Sequence, residues 1–177
     1  MSQWALRQLG LDQVWWLVSP QNPLKPRAGM ADLATRVDAA RAVARDRRIR
    51  VGALEARIGT VYTVELVSWL RRSFPRVRFV WLMGADNLGQ VDRWQGWQRI
   101  FRTVPIAAFD RPTYSLKATV GRAARRFTRF RRPMRSSRSL VNARAPAWVL
   151  LTGRRHPASA SAIRAAARRS KGGRAHT

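Results

Sequence analysis

No cysteine occurs in the 177 residues, so neither a disulfide nor a thiolate metal site can hold the chain together, and nothing argues for an oxidising compartment. No apolar run approaches the length of a membrane span, and the first ten residues carry no apolar segment of the kind found in secretion signals. These absences lead to the expectation of a soluble cytoplasmic protein. Lysine is nearly absent too, confined to positions 25, 117 and 171 although Lys and Arg together number 35. Acids are scarcer still. There are nine, and none follows Asp110, so residues 111–177 hold 18 basic side chains and no carboxylate.

The net charge is therefore +26, and its placement is lopsided. A segment as basic as 122–138 would attract phosphate backbones by counterion release, which makes nucleic acid one conceivable partner. No recognition-helix, RNP-like or zinc-finger pattern accompanies the charge, however, and the wealth of arginine and alanine also fits a general coding bias. A nucleic-acid partner is accordingly not the one expected. The 46% hydrophobic content suffices for one good core, and the length favours a single domain over 1–169 with a polar, disordered tail at 170–177.

Along the chain, strand and helix signals alternate. Residues 14–18 (VWWLV) form a short apolar run closed by Ser-Pro-Gln-Asn-Pro, which reads as a buried strand and a loop. Over 30–46 the apolar residues Met30, Leu33, Val37, Ala40 and Val43 recur at helical spacing and predict an amphipathic helix. Further strands are predicted at 49–54, 77–83, 106–109 and 148–151. Helices are predicted at 62–74 with Thr63 as N-cap, at 92–101 with Asp92 as cap, at 116–130 and at 160–169. Strands separated by helices of this length require parallel crossovers. The fold class that follows is α/β, an open doubly wound parallel sheet covered on both faces.

In such a sheet ligands sit beyond the carboxyl ends of the strands. Residues 84–87 (GADN) occupy such a place: a glycine admits close backbone approach, and a carboxylate accepts hydrogen bonds from sugar hydroxyls. On spacing alone Asp86 reads more readily as the N-cap of a short helix.

The segment "WLMGADNL" with a tryptophan six residues on, then "VPIAAFDRP", then "ASASAIR", resembles bacterial nicotinate-nucleotide adenylyltransferase of the nucleotidyltransferase superfamily. "GLDQVWWLVSPQNPLKP" and "VYTVELVSWL" fall in that family's order as well, so the similarity runs over nearly the whole chain. The resemblance implies a Rossmann-like fold and transfer of AMP from ATP to nicotinate mononucleotide, with Mg²⁺ carried on the triphosphate. It implies nucleotide-binding roles for Gly84, Asp86 and Arg111. Trp94 would stack on the pyridine ring, beside Tyr62 and Thr63, with Asn22 and Lys25 near the phosphate of the same ligand. Ser159, Ser161 and Arg164 match an SxTxxR signature for the ATP phosphates. Trp97 is assigned to packing, and His156 and His176 are not expected to be catalytic.

The family's glycine-rich signature GGxFxPxHxGH, whose histidines bind the phosphates, has no counterpart here. Residues 1–10 resemble only the end of the helix that follows it, so the expected sheet lacks its first, central strand and the catalytic group is left open. Glu65 and Leu66 also replace the family's aspartate and threonine after the Tyr-Thr pair, and Asp92 stands where a histidine is frequent. Two alternatives remain: an adenylyltransferase for another acceptor such as nicotinamide mononucleotide, or a non-catalytic basic protein that binds nucleic acid.

Overall fold

The structure, a computed structural model, describes residues 1–20, 30–110 and 119–153. Every described strand pairs in parallel, as the alternation of elements requires, but the strands form two sheets instead of one. The first holds β1 (Val14–Leu17) and β2 (Ile49–Gly52), in register Val14 to Ile49. The second has the order β3-β4-β6-β5, with β3 at Trp81–Gly84, β4 at Ile106–Phe109, β5 at Arg131–Arg132 and β6 at Trp148–Leu151. No described strand lies between β1 and β3. Aromatic side chains span that break: Trp15 of β1 meets Phe74 at 5.7 Å and Phe79 at 5.9 Å, both edge-on.

The larger sheet is covered on both faces, and the period of a strand explains how. Ile106 and Ala108 of β4, with Trp148 and Leu150 of β6, point to one face, where α5 (Ala85–Leu88), α6 (Trp97–Thr103) and α7 (Arg122–Arg126) pack. Ala107 and Phe109, with Val149 and Leu151, point to the other, against α1 (Ser2–Leu9) and the 3-10 segment Met134–Asn142. All eight of these strand residues are buried, which is why β4 and β6 read as unbroken apolar runs. Phe101 stacks on Phe127 at 4.4 Å with planes 5° apart, and the buried Trp148 indole donates to the Phe127 carbonyl at 2.8 Å. Full burial of each such side chain contributes about 1.5–3 kcal/mol.

The helices deviate from the sequence expectation in instructive ways. The helix predicted over 30–46 is α2, Leu33–Val43, because the Asp32 carboxylate accepts from the Thr35 N–H and fixes the start there. Of its apolar stripe only Val37 is buried, while Met30 and Val43 lie exposed. After the short α3 (Leu54–Arg57), α4 runs Thr63–Ser73 with Tyr62, not Thr63, in the cap position. Asp92 does not cap a helix: it lies in a 3-10 turn, Val91–Arg93, and α6 begins only after Gly96. Within the described residues, the basic helix predicted at 116–130 is interrupted at Gly121: residues 119–120 are helical, and the five-residue α7 and a 3-10 turn at Thr128–Phe130 follow. β5 and the 3-10 segment Met134–Asn142 were not foreseen, and the helix predicted at 160–169 lies outside the described residues.

Candidate active site

β3 delivers the GADN segment to the carboxyl edge of the larger sheet. Gly84 is the last residue of β3, in register with Phe109 of β4, and it is also the N-cap of α5 with φ −77° and ψ 158°. The cap of this short helix is therefore Gly84, and Asp86 lies inside its first turn. An acid there is favoured by the partial positive charge of the helix start. Ala85 and Leu88 on the same helix are buried and anchor it to the core, leaving Asp86 and Asn87 half-buried at the rim, where Gln90 donates to Asn87 Oδ1 at 3.1 Å.

Trp94 and Tyr62 come to this region from different elements. Trp94 follows the 3-10 turn, its N–H donating to the Val91 carbonyl at 2.9 Å, and Tyr62 precedes α4. Both are half-buried and pack against the same apolar cluster that holds Ala85, Leu88 and Val91. α4 and α6 are brought together where Gly96, at φ +61°, lets the chain pass Val64: a Cβ on Gly96 would lie 3.0 Å from Val64 Cγ2. The Tyr62 end of α4 is held by Thr60, whose hydroxyl accepts from the Tyr62 N–H at 3.1 Å and donates to the Glu65 carboxylate. Glu65 thus has a local structural partner.

Of the residues singled out in the sequence, Tyr62 and Trp94 pack against one apolar cluster; Gly84 and Asp86 flank Ala85 of that cluster in the chain, and Thr63 precedes its Val64. Asn22, Lys25, Arg111, Ser159, Ser161 and Arg164 lie outside the described residues. Trp97 is a packing residue, edge-on to Phe101 at 6.2 Å and to Phe127 at 6.0 Å.

Two carboxylates passed over in the sequence also reach the carboxyl edges of the strands. Asp110 follows β4, its N–H bonded to the Leu151 carbonyl at 2.9 Å, and its Oδ1 is buried with no hydrogen-bond partner among the described residues. The segment "AAFDRP" offered this residue alongside Arg111, since both follow a buried strand. Glu55 follows β2 and is 6% exposed. Burial pushes its carboxyl above the ordinary range, and a hydrogen bond with Ser19, beyond the end of β1, opposes that shift. No sequence pattern distinguishes Glu55, because its burial depends on the pairing of β1 with β2.

The cytidylyltransferase-like family model matches residues 1–166. The chain belongs to the cytidylyltransferase-like family. Among its relatives is a protein of a Bradyrhizobium species described as a probable nicotinate-nucleotide adenylyltransferase, 49% identical over 93% of this chain and 85% of that protein. A protein of Parvibaculum lavamentivorans with the same description is 48% identical over 93% of this chain and 82% of its own length. Among solved structures, Plasmodium falciparum nicotinic acid mononucleotide adenylyltransferase complexed with APC superposes with a TM-score of 0.56 at 10% identity. That superposition covers 85% of this chain and 63% of the other, and it identifies the fold alone. The α/β nucleotidyltransferase fold of the family is thus the fold of this chain, with parallel sheets flanked by helices.

Proposed function

We propose that the chain transfers AMP from ATP to nicotinate mononucleotide, giving deamido-NAD and pyrophosphate, as a step of NAD biosynthesis in the cytoplasm. The observation that supports this reading is that Trp94 and Tyr62 pack against the cluster holding Ala85 of α5, the neighbour of Asp86, in a chain 49% identical to a protein described as a probable nicotinate-nucleotide adenylyltransferase. In this reading Asp86 accepts hydrogen bonds from a ribose, and the Trp94 indole stacks on the electron-poor pyridine ring, with Tyr62 and Thr63 beside it. Gly84 and Arg111 hold the nucleotide. Asn22 and Lys25 serve the acceptor phosphate, while Ser159, Ser161 and Arg164 serve the triphosphate.

The chemistry asks little covalent work of the protein. An oxygen of the acceptor phosphate attacks the α-phosphorus of ATP and forms the new P–O bond. The bond from that phosphorus to the bridging oxygen breaks, and pyrophosphate leaves with the electron pair. Catalysis is then positioning plus stabilisation of charge around the α-phosphorus. Among the described residues no group of three His, Cys, Asp or Glu side chains is placed to hold a metal ion. In this reading a divalent cation, Mg²⁺, is carried on the phosphates of ATP, where it would neutralise their charge.

The test is incubation of the purified chain with ATP, Mg²⁺ and either nicotinate mononucleotide or nicotinamide mononucleotide, with products separated by chromatography. Deamido-NAD and pyrophosphate in equal amounts, at a kcat/KM well above that for the amide, are expected. Preference for the amide acceptor would replace this reading with the related one, and failure to bind ATP and both acceptors in calorimetry would end it.

A further inference from the structure

The nine arginines between positions 122 and 144 have no role in the proposed transfer, yet the fold gives a part of them a definite arrangement. In α7, Ala123, Ala124 and, just beyond, Phe127 are buried, so Arg122, Arg125 and Arg126 share the solvent face. The 3-10 turn that follows exposes Arg129 and Phe130, and the Phe130 ring, 36% exposed, leans on Phe127 at 6.2 Å. Immediately beyond lies the edge strand β5. Arg131 and Arg132 there line an open groove of about 560 Å³ together with Thr128 and Thr152. The Arg131 guanidinium is held 5.3 Å over the Trp148 ring.

This strip has no internal neutralisation. No carboxylate exists in 111–177, and the two ion pairs among the described residues, Arg41 with Asp38 and Arg48 with Asp46, both lie elsewhere. Six arginines within eleven residues therefore repel one another, and a polyanion would relieve that repulsion while releasing its own counterions. The exposed ring among them adds a requirement that phosphate alone does not meet, a flat partner to stack on. α7, at five residues, is only about 7.5 Å long and cannot lie along a major groove as a recognition helix does.

We infer that the strip from α7 through Phe130 to β5 is a binding surface for single-stranded nucleic acid: its arginines take the phosphates and Phe130 takes a base. The surface uses none of the residues assigned to the transfer reaction.

The experiment is fluorescence anisotropy of the full chain with a labelled single-stranded oligonucleotide of about 12 nucleotides, across a salt series. The triple variant R125A/R126A/R129A is expected to make the slope of log K against log salt shallower by about 2, at about 0.7 for each phosphate no longer neutralised. Phe130→Ala is expected to weaken binding about five- to hundredfold at unchanged slope, and Phe130→Trp to retain it. The variants should leave the AMP-transfer rate unchanged, because none of the altered residues is assigned to that reaction. Three findings would each overturn the assignment. One is an equal loss of slope in the control R45A/R47A/R76A, which removes exposed arginines outside the strip. Another is an unchanged affinity in Phe130→Ala. The third is binding of a duplex, or of inorganic polyphosphate of matched charge, as tight as that of the single strand.

Discussion

Trp94 and Trp97 are three residues apart, and their surroundings divide them cleanly. Trp97 is buried between Phe101 and Phe127, whereas Trp94 is only half-buried at the border of the same cluster. Trp97→Ala should therefore lower stability by about 3–5 kcal/mol in urea unfolding. Trp94→Ala should cost little stability but raise the KM for nicotinate mononucleotide about tenfold, since stacking of this kind contributes on the order of 1 kcal/mol beyond burial. An unchanged KM in that variant would remove Trp94 from the site. Glu55 gives a second prediction at this scale. Its carboxyl is raised above the ordinary value of 4.5 by burial. An acid that binds its proton more tightly in the folded state contributes stability that is fully present below the unfolded pKa and lost as pH rises through the higher folded one. Glu55→Gln cannot ionise, so its melting temperature should gain on that of the parent as pH is raised from about 4 to about 7. A gap that stays constant across this range would show that Glu55 is not held in its neutral form by the fold.

At the scale of elements, the boundaries were decided by local chemistry that competes with periodicity. Asp32 starts α2 later than its apolar stripe suggests, and Gly96 delays α6 because α6 must approach α4 at that point. Two glycines separate backbone conformation from packing there. Gly59, at φ +70°, has nothing within 4 Å of a built Cβ, while Gly96, at φ +61°, would place one 3.0 Å from Val64. Gly59→Ala should then cost about 1 kcal/mol from conformation alone, and Gly96→Ala measurably more. Val64→Ala in the Gly96→Ala background should recover part of the difference. If the two single variants proved equally destabilised, the close approach of α4 and α6 would not be what requires a glycine at position 96.

For the molecule as a whole, charge is the dominant long-range term. A chain of net charge +26 repels itself, and the two ion pairs among the described residues are local, Arg41 with Asp38 and Arg48 with Asp46. Raising ionic strength from about 0.01 to about 0.1 M shortens the screening length from about 30 to about 10 Å, so the melting temperature should rise over this interval in a thermal scan. A fall would mean that attractive pairs outweigh the repulsion. The division into two sheets belongs to this scale too. β1 and β3 each pair on one side only among the described strands, and the contacts of Trp15 with Phe74 and Phe79 are aromatic, without a backbone ladder.

β4 and β6 were legible in the sequence to the residue, because strands buried on both faces must be apolar throughout, and their position within a parallel α/β architecture followed from the spacing of the helices. The GADN segment was legible for the same reason, as the first polar residues beyond a buried strand. Local patterns could not show that Gly84 and not Asp86 caps α5, that Tyr62 and Trp94 lean on one core patch, or that Glu55 is buried beside Ser19. Those facts depend on which elements pack side by side. Side-chain periodicity is a property of neighbours in the chain, whereas burial, desolvation and the meeting of distant residues are properties of neighbours in space.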